Sequence, residues 1–399
     1  MTTLLTMPRD GLPGVTHDDI SSAITALSGG SGAFAVDTER AMGIRYSARA
    51  YLIQIRRPGA GTFLIDPVGI EDQLEPLAHV MHAQWILHDA AQDLPAMREL
   101  GLEPTSLFDT EIAGLLLGFE HISLQAMVAE LLGYELAKEH SAADWSMRPI
   151  PESMRAYAAL DVELLHELKH ELTLRLGKAQ RLEWFEQECE YIRTQPSPAP
   201  KPEPWRRIAG RLRIEDVRAL GMLRELWAAR DSIAQSEDIA PSKVFPSSIL
   251  GELARRKPRS RADVVNSPLM RSQARKPFVD TFWTSINRVW KMPSSRLPSR
   301  TGSGNKEPFP PIKQWGKSHP DAAQRLDLMR ARVFECADTL GIRQEVLLKP
   351  MIQKQLAWKG WADRSSAEAT MRELGARPWQ IENVSSALFC ADTSHNPRD

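Results

Sequence analysis

Two carboxylates one residue apart, Asp37 and Glu39, close the apolar run Ala33-Phe34-Ala35-Val36. In a strand, positions i and i+2 share a face, so the pair would present its charges side by side and require a cation. Asp93 stands where a predicted strand gives way to a predicted helix. Tyr157 and Asp161, four residues apart, share one helix face and could address a single site together. Taken singly, each has a plainer reading: an acidic strand end, an N-cap at Asp93, a surface Tyr/Asp contact.

A second constellation competes with the first. His166-Glu167-Leu168-Lys169-His170 fits the His-Glu-x-x-His pattern of zinc peptidases. Its extended form fails, because Thr173 stands at the glycine position and Leu176 at the third histidine. Leu164, Leu165, Leu168, Leu172 and Leu176 instead describe a core-facing stripe that leaves both histidines at a surface or edge. No Gly-x-x-x-x-Gly-Lys-Ser/Thr occurs, and the glycine runs at 29–32 and 302–306 read as flexible spacers, so no nucleotide cofactor is expected.

The elements that must position these residues follow from periodicity and punctuation. Strands are predicted at 34–37, 51–55, 62–65 and 85–88, and helices at 93–100, 109–117, 123–132 and from about 151 to beyond 176. Proline at every second position of 195–204 blocks helix and favours an extended spacer, and a second Pro/Ser/Gly/Arg/Lys-rich break spans 293–311. The resulting units are 1–194, 205–292 and 312–392, with a tail at 393–399. Strands followed by helices in the first unit indicate an α/β or α+β layer fold. The other two read as helical, and Asp231 to Ala254 aligns with Phe334 to Ala357 at an offset of 103 as a weak helical repeat.

Charge separates the units. Lys+Arg against Asp+Glu is 15 to 29 over residues 1–194, 23 to 10 over 205–320 and 11 to 11 over 321–399, under a net charge of −1 for the chain. An acidic first unit suits cation binding and a basic middle suits a polyanion. Arg255, Arg256, Lys257, Arg259 and Arg261 form the candidate phosphate-contacting cluster, against a solvated charge run. Trp283, Trp290 and Trp315 could stack on bases, though tryptophans at helical spacing belong more often to a core. Three scattered cysteines, Cys189, Cys336 and Cys390, lack disulfide or zinc-ribbon spacing. The longest apolar run, 112–119, is too short to span a bilayer, and no signal segment opens the chain, so a cytoplasmic protein without membrane contact is expected.

Val36-Asp37-Thr38-Glu39, followed by Leu52-Ile53-Gln54-Ile55, then His88 to Asp93, then Tyr157 to Asp161, resembles in order the three motifs of the tyrosine subgroup of the DEDD exonuclease superfamily, most closely its ribonuclease D branch. Phe108-Asp109-Thr110 and Asp144-Trp145-Ser146-Met147-Arg148-Pro149 are similar too, so the resemblance covers about residues 30–176. Arg40 departs from the pattern, where the family usually carries an aromatic residue, and this bears on how the terminal nucleotide is seated. The two later units resemble HRDC domains, the second being more divergent. The resemblance implies an RNase H-like α/β catalytic domain, a mixed sheet flanked by helices, followed by two all-α HRDC-like domains. It implies a metal-dependent 3′→5′ exoribonuclease acting on single-stranded RNA 3′ ends such as tRNA precursors. Asp37, Glu39, Asp93 and Asp161 would ligate two Mg²⁺ or Mn²⁺ ions, with Asp37 between them, and Tyr157 would orient the attacking water. Asp109 is expected as a cap or packing residue. The alternatives are a DNA 3′→5′ exonuclease of the same superfamily, since the same carboxylates would serve it, and a non-catalytic RNA-binding scaffold.

Overall fold

The computed structural model describes residues 2–137, 143–302 and 309–389. Cys390, the end of the third expected unit, the tail 393–399 and residues 303–308 of the second expected linker, with most of its glycine run, lie outside the described residues.

The amino-terminal unit contains strands β1 (Thr3–Leu5), β2 (Val15–Thr16), β3 (Phe34–Arg40), β4 (Ala50–Arg57), β5 (Gly61–Ile65), β6 (Gln84–Leu87), β7 (Ser106–Asp109) and β8 (Tyr134–Leu136). Six form one mixed sheet in the order β2-β5-β4-β3-β6-β7, while β1 and β8 pair separately in parallel. β3 lies inside the sheet, antiparallel to β4 and parallel to β6. Its first three side chains, Phe34, Ala35 and Val36, are fully buried, which is why this strand opens as a continuous apolar run. The register shifts between Glu39 and Arg40, so pairing loosens where the strand delivers its acidic end.

Helices α1 (Ser21–Gly29), α2 (Glu75–Met81), α3 (Ala90–Glu99), α4 (Thr110–Leu117), α5 (Leu124–Leu132), α6 (Glu152–Glu163), α7 (Leu165–Lys178) and α8 (Leu182–Thr194) cover the sheet. The helix expected from 151 to beyond 176 is broken at Leu164 into α6 and α7. The break falls beside Glu163, whose fully buried carboxylate is held by Arg9 at 2.7 Å and Arg56 at 3.4 Å. The expected helix start at 109 is one residue early, because Ser106–Asp109 is a strand at the sheet edge that four residues are too few to reveal. Leu164, Leu165, Leu168, Leu172 and Leu176 are all buried in the core, as their stripe requires.

The first helical unit comprises α9 (Arg206–Leu212), α10 (Val217–Ser236), α11 (Pro241–Val244), α12 (Ser247–Arg256), α13 (Arg261–Val265) and α14 (Val279–Lys291), around a core of its own. The last unit comprises α15 (Trp315–Ser318), α16 (Pro320–Leu340), α17 (Gln344–Leu347), α18 (Pro350–Lys359), α19 (Arg364–Glu373) and α20 (Pro378–Leu388). Helices begin at Val217, Pro241, Ser247 and Arg261, and 103 residues on they begin at Pro320, Gln344, Pro350 and Arg364. The repeat glimpsed in sequence is thus a repeat of elements.

Both helical units dock on the amino-terminal one. The Asp238 carboxylate accepts from the backbone N–H of Tyr46 and Ser47 and from the Tyr51 hydroxyl, and Asp231 accepts from the Tyr46 hydroxyl at 3.1 Å. The loop so held, 41–49, joins β3 to β4. On another face, buried Glu188 accepts from Arg377 Nε and Trp379 Nε1, each at 2.7 Å, while Trp379 stacks on Trp184 at 4.7 Å. Side chains of the last unit, among them Val333, Leu347 and Trp379, share one hydrophobic core with the sheet. The approach is close enough that a Cβ on Gly118 would stand 2.0 Å from the carbonyl oxygen of Gly341. Among the described residues no helix is long and apolar enough to cross a membrane.

Candidate active site

The acidic end of β3, the first turn of α3 and the middle of α6 meet at one cleft of about 420 Å³. Asp37, Glu39 and Asp161 each turn a carboxylate oxygen into it, and these atoms lie within 4.8 Å of one another. The alternation of β3 accounts for the first two, and the packing of α6 across β3 and β4 accounts for the third. Asp93 stands beside this trio, fixed by a 2.8 Å hydrogen bond from Thr38 Oγ1. Tyr157, one turn before Asp161 on α6, lines the same cleft and donates its hydroxyl to Asp161. The five residues singled out in the sequence are therefore brought together.

Their electrostatics follow from burial. Desolvation, then repulsion from Asp161, raises the pKa of Asp37. Glu39 rises for the same first reason, reinforced by Asp37, Asp161 and Asp93. Desolvation raises Asp93 and Asp161 too, with Tyr157 drawing Asp161 partly back. The Tyr157 phenol is driven upward by burial and the surrounding carboxylates, so it remains a donor at neutral pH. An all-oxygen donor set carrying mutually repelling charges matches what hard divalent cations require. His88 is pushed down to about 4 by burial and stays neutral, its Nδ1 within 2.9 Å of Thr110 Oγ1.

Arg40 is the one lysine or arginine among the described residues lining the cleft. Its Nη2 lies 3.9 Å from Asp93 Oδ1 and 3.5 Å from Gln92 Oε1. Where the resembling family places an aromatic ring, this chain offers a guanidinium to whatever enters.

The supports of these residues are only partly visible in sequence. Asp109 caps α4 through the N–H groups of Glu111 and Ile112, and it also accepts from the N–H groups of Asp89 and Ala90, which seats the start of α3 and hence Asp93. Trp145 sets its buried ring 6.2 Å from that of Tyr157. Gln54 pairs across the strands with Asp37 and is fully buried, with neither amide atom bonded among the described residues. Thr38 escapes a reading of the sequence as a functional residue because its partner Asp93 is remote along the chain; the one available signal is its place inside a matching motif.

The remaining candidates lie elsewhere. His166 Nε2 is 3.0 Å from the carbonyl oxygen of Ala33, Glu167 pairs with Arg9, and neither histidine lines the cleft, so His166 and His170 form no metal site with it. In the basic cluster Arg255 and Arg256 both pair with Glu252, Lys257 with Asp216 and Arg261 with Asp280, while Arg259 lies over the Trp290 ring. Trp315 is fully buried, and Trp283 and Trp290 pack against the core of their unit.

A family model described as 3′-5′ exonuclease matches residues 14–177, one described as HRDC domain matches 219–286, and one described as 3′ to 5′ exonuclease C-terminal domain matches 308–391. Ribonuclease D of Jannaschia sp. (strain CCS1) is 30% identical over 294 residues, spanning 71% of this chain and 76% of that protein. A crystal structure of a protein from Bifidobacterium adolescentis is similar with a TM-score of 0.88 and 33% identity, covering 97% of this chain and 100% of that one. Escherichia coli RNase D, described as an exoribonuclease involved in structured RNA processing, has a TM-score of 0.65 and 24% identity, covering 96% and 98%. This last likeness bears on the fold alone.

Proposed function

The chain belongs to the ribonuclease D family of 3′→5′ exoribonucleases, and from that premise we propose that residues 1–194 remove nucleotides from single-stranded 3′ ends of RNA, tRNA precursors among them, by a two-metal mechanism. The observation that carries the reading is the convergence of Asp37, Glu39 and Asp161 within 4.8 Å, beside Asp93 and Tyr157. These four carboxylates would hold two divalent cations, Mg²⁺ or Mn²⁺. Bound there, such cations lower the pKa of a water and neutralise charge on the departing oxygen.

The chain's own groups supply the orientation. Tyr157, steadied by Asp161 and Trp145, keeps its proton and offers its phenol as a hydrogen-bonding group beside the trio, so it orients water and does not act as base. Thr38 holds Asp93 in place, and Asp109 holds the helix that carries Asp93. Arg40 gives an RNA phosphate the one cationic partner among the described residues of the cleft wall, which favours a phosphate contact over ring stacking for the terminal nucleotide.

The test incubates matched 5′-labelled RNA and DNA with Mg²⁺, Mn²⁺ or chelator. RNA should shorten in single-nucleotide steps with metal, and Asp37→Ala should lose ~10³-fold in rate, the order expected for several kcal/mol of metal-borne stabilisation. RNA left intact in both metals would sink the proposal, and DNA shortened as fast as RNA would reassign the substrate.

A further inference from the structure

A second recess, of about 300 Å³, lies in the first helical unit and is lined by Arg207, Arg211, Trp227, Arg230, Ser247 and Ser248, among others. Arg207 and Arg211 are four apart on α9, both exposed, so their guanidinium groups share a face. Neither forms an ion pair among the described residues, in contrast to the Arg255–Arg261 cluster, whose charges are largely spent on neighbouring carboxylates.

Arg230 is the telling member. It is only 4% exposed, and no carboxylate pairs with it among the described residues. Its Nη1 donates to the carbonyl oxygen of Phe245 at 3.1 Å and to Ser247 Oγ at 2.8 Å, while its buried Nε has no acceptor among the described residues. Asp231, its neighbour in the chain, is the carboxylate whose charge reaches it, but not at ion-pair distance, and a buried guanidinium with an unfilled donor and no paired carboxylate is costly unless an anion completes it. The ten-residue helix α12 begins at the same place. Its N-cap, Pro246, provides no side-chain acceptor, so the positive end of the helix opens beside Ser247 and Ser248. Gly251 lets α9 close over this end, since a Cβ there would lie 2.4 Å from Leu212 Cδ1.

The last unit provides an internal comparison. At the offset of 103 that superposes the two sets of helices, Arg207, Arg211, Arg230, Ser247 and Ser248 correspond to Pro310, Gln314, Val333, Pro350 and Met351. Val333 is fully buried. The same arrangement of helices therefore stands with an apolar side chain where Arg230 sits, and the packing of such a unit does not itself demand the arginine. The residues that carry Arg207 and Arg211, in α9, precede the segment matched as an HRDC domain from residue 219.

We propose that this recess binds a phosphate of a nucleic-acid strand, with Trp227, one turn before Arg230 on α10, as the platform for the adjoining base. Planar guanidinium groups and helix N–H groups suit phosphate oxygens, and an indole suits any base, so the recess would hold RNA without reading its sequence. The turn of α10 that carries Arg230 is tied to the amino-terminal unit, because Asp231 accepts from the hydroxyl of Tyr46 in loop 41–49. The inference rests on RNA being the substrate, but not on how it is cleaved.

The experiment uses the full chain. A labelled single-stranded oligoribonucleotide is titrated by anisotropy across a salt series into Asp37→Ala protein with and without Arg207→Ala/Arg211→Ala, two exposed changes that leave the core alone. Affinity should fall ~10-fold or more, and the salt slope should flatten by about 0.7 for each phosphate that is no longer neutralised. Trp227→Ala should weaken the oligoribonucleotide without weakening inorganic phosphate. Unchanged affinity and slope would overturn the assignment. So would binding of inorganic phosphate at the recess with no effect of the double variant on RNA, which would make it a free-anion site. Failure of the parent to cleave any RNA would instead count against the catalytic reading and leave the binding result standing.

Discussion

Burial and mutual repulsion raise the pKa of Asp37, Glu39, Asp93 and Asp161, so the metal-free folded chain retains protons that the unfolded chain would release. A raised folded pKa contributes stability that is complete below the unfolded value and is lost as pH climbs through the folded one. The metal-free protein should therefore melt at progressively lower temperature as pH rises from about 5 to about 8, above the ordinary carboxylate range. Mg²⁺ or Mn²⁺ should reverse the trend, by about 2.7 kcal/mol at a concentration near 100 times the dissociation constant. Asp37→Asn should flatten the metal-free pH profile and blunt the metal response. A melting temperature that rises with pH in chelator would contradict burial and repulsion as the origin of the shifts. The residues behind this behaviour are legible in sequence because Asp37, Glu39, Tyr157 and Asp161 sit at positions where strand or helix period dictates their direction. Thr38 and Trp145 are not legible as supports, since each acts through a partner supplied by another element.

Between elements, the loop 41–49 has an unusual position: it leaves β3 directly after Asp37 and Glu39 and is gripped by Asp231 of α10 and by Asp238 just beyond that helix. Asp238 alone accepts from two of its backbone N–H groups, at Tyr46 and Ser47, and from the Tyr51 hydroxyl at the start of β4. Asp238→Ala should remove roughly 2–3 kcal/mol of local stability, at about 1 kcal/mol net for each bond. Amide exchange at Tyr46 and Ser47 should then quicken by ~10-fold or more, as far as it follows local opening. Exchange unchanged at both amides would mean that the loop is held by other groups. The sequence leaves this docking invisible, because Asp238 and Tyr46 belong to units separated by a proline spacer. It also conceals the break at Leu164, since the leucine stripe runs through α6 and α7 without a gap in its period. By contrast, the offset of 103 is readable as apolar periodicity, and the structure converts it into matched helix starts.

Across the molecule, two helical units flank one catalytic unit but are joined to it differently. The first has its own core and touches through polar groups, whereas the last shares the core of the sheet. The Glu188–Arg377 pair is the buried electrostatic element of that second junction, with both side chains about nine-tenths hidden. Arg377→Met should cost about 3–5 kcal/mol by stranding Glu188, and Glu188→Met/Arg377→Met together should recover most of it. Calorimetry of the single and double variants measures both. A single variant as stable as the parent would show that the pair does not secure the junction. Composition announces separate duties for an acidic and a basic portion, yet it cannot say which basic side chains remain unpaired.

The tether from Asp231 to Tyr46 joins the turn of α10 that carries Arg230 to the loop leaving β3. Under the proposed binding, a strand gripped in the recess and threaded into the cleft would span an interval that this tether helps to fix. Each nucleotide removed consumes that span from one end. Were the recess to hold the strand as proposed, a remainder too short to reach both places would release one grip, and digestion would slow at a set residual length. The protein would then carry its own ruler, graduated by the geometry between α10 and β3.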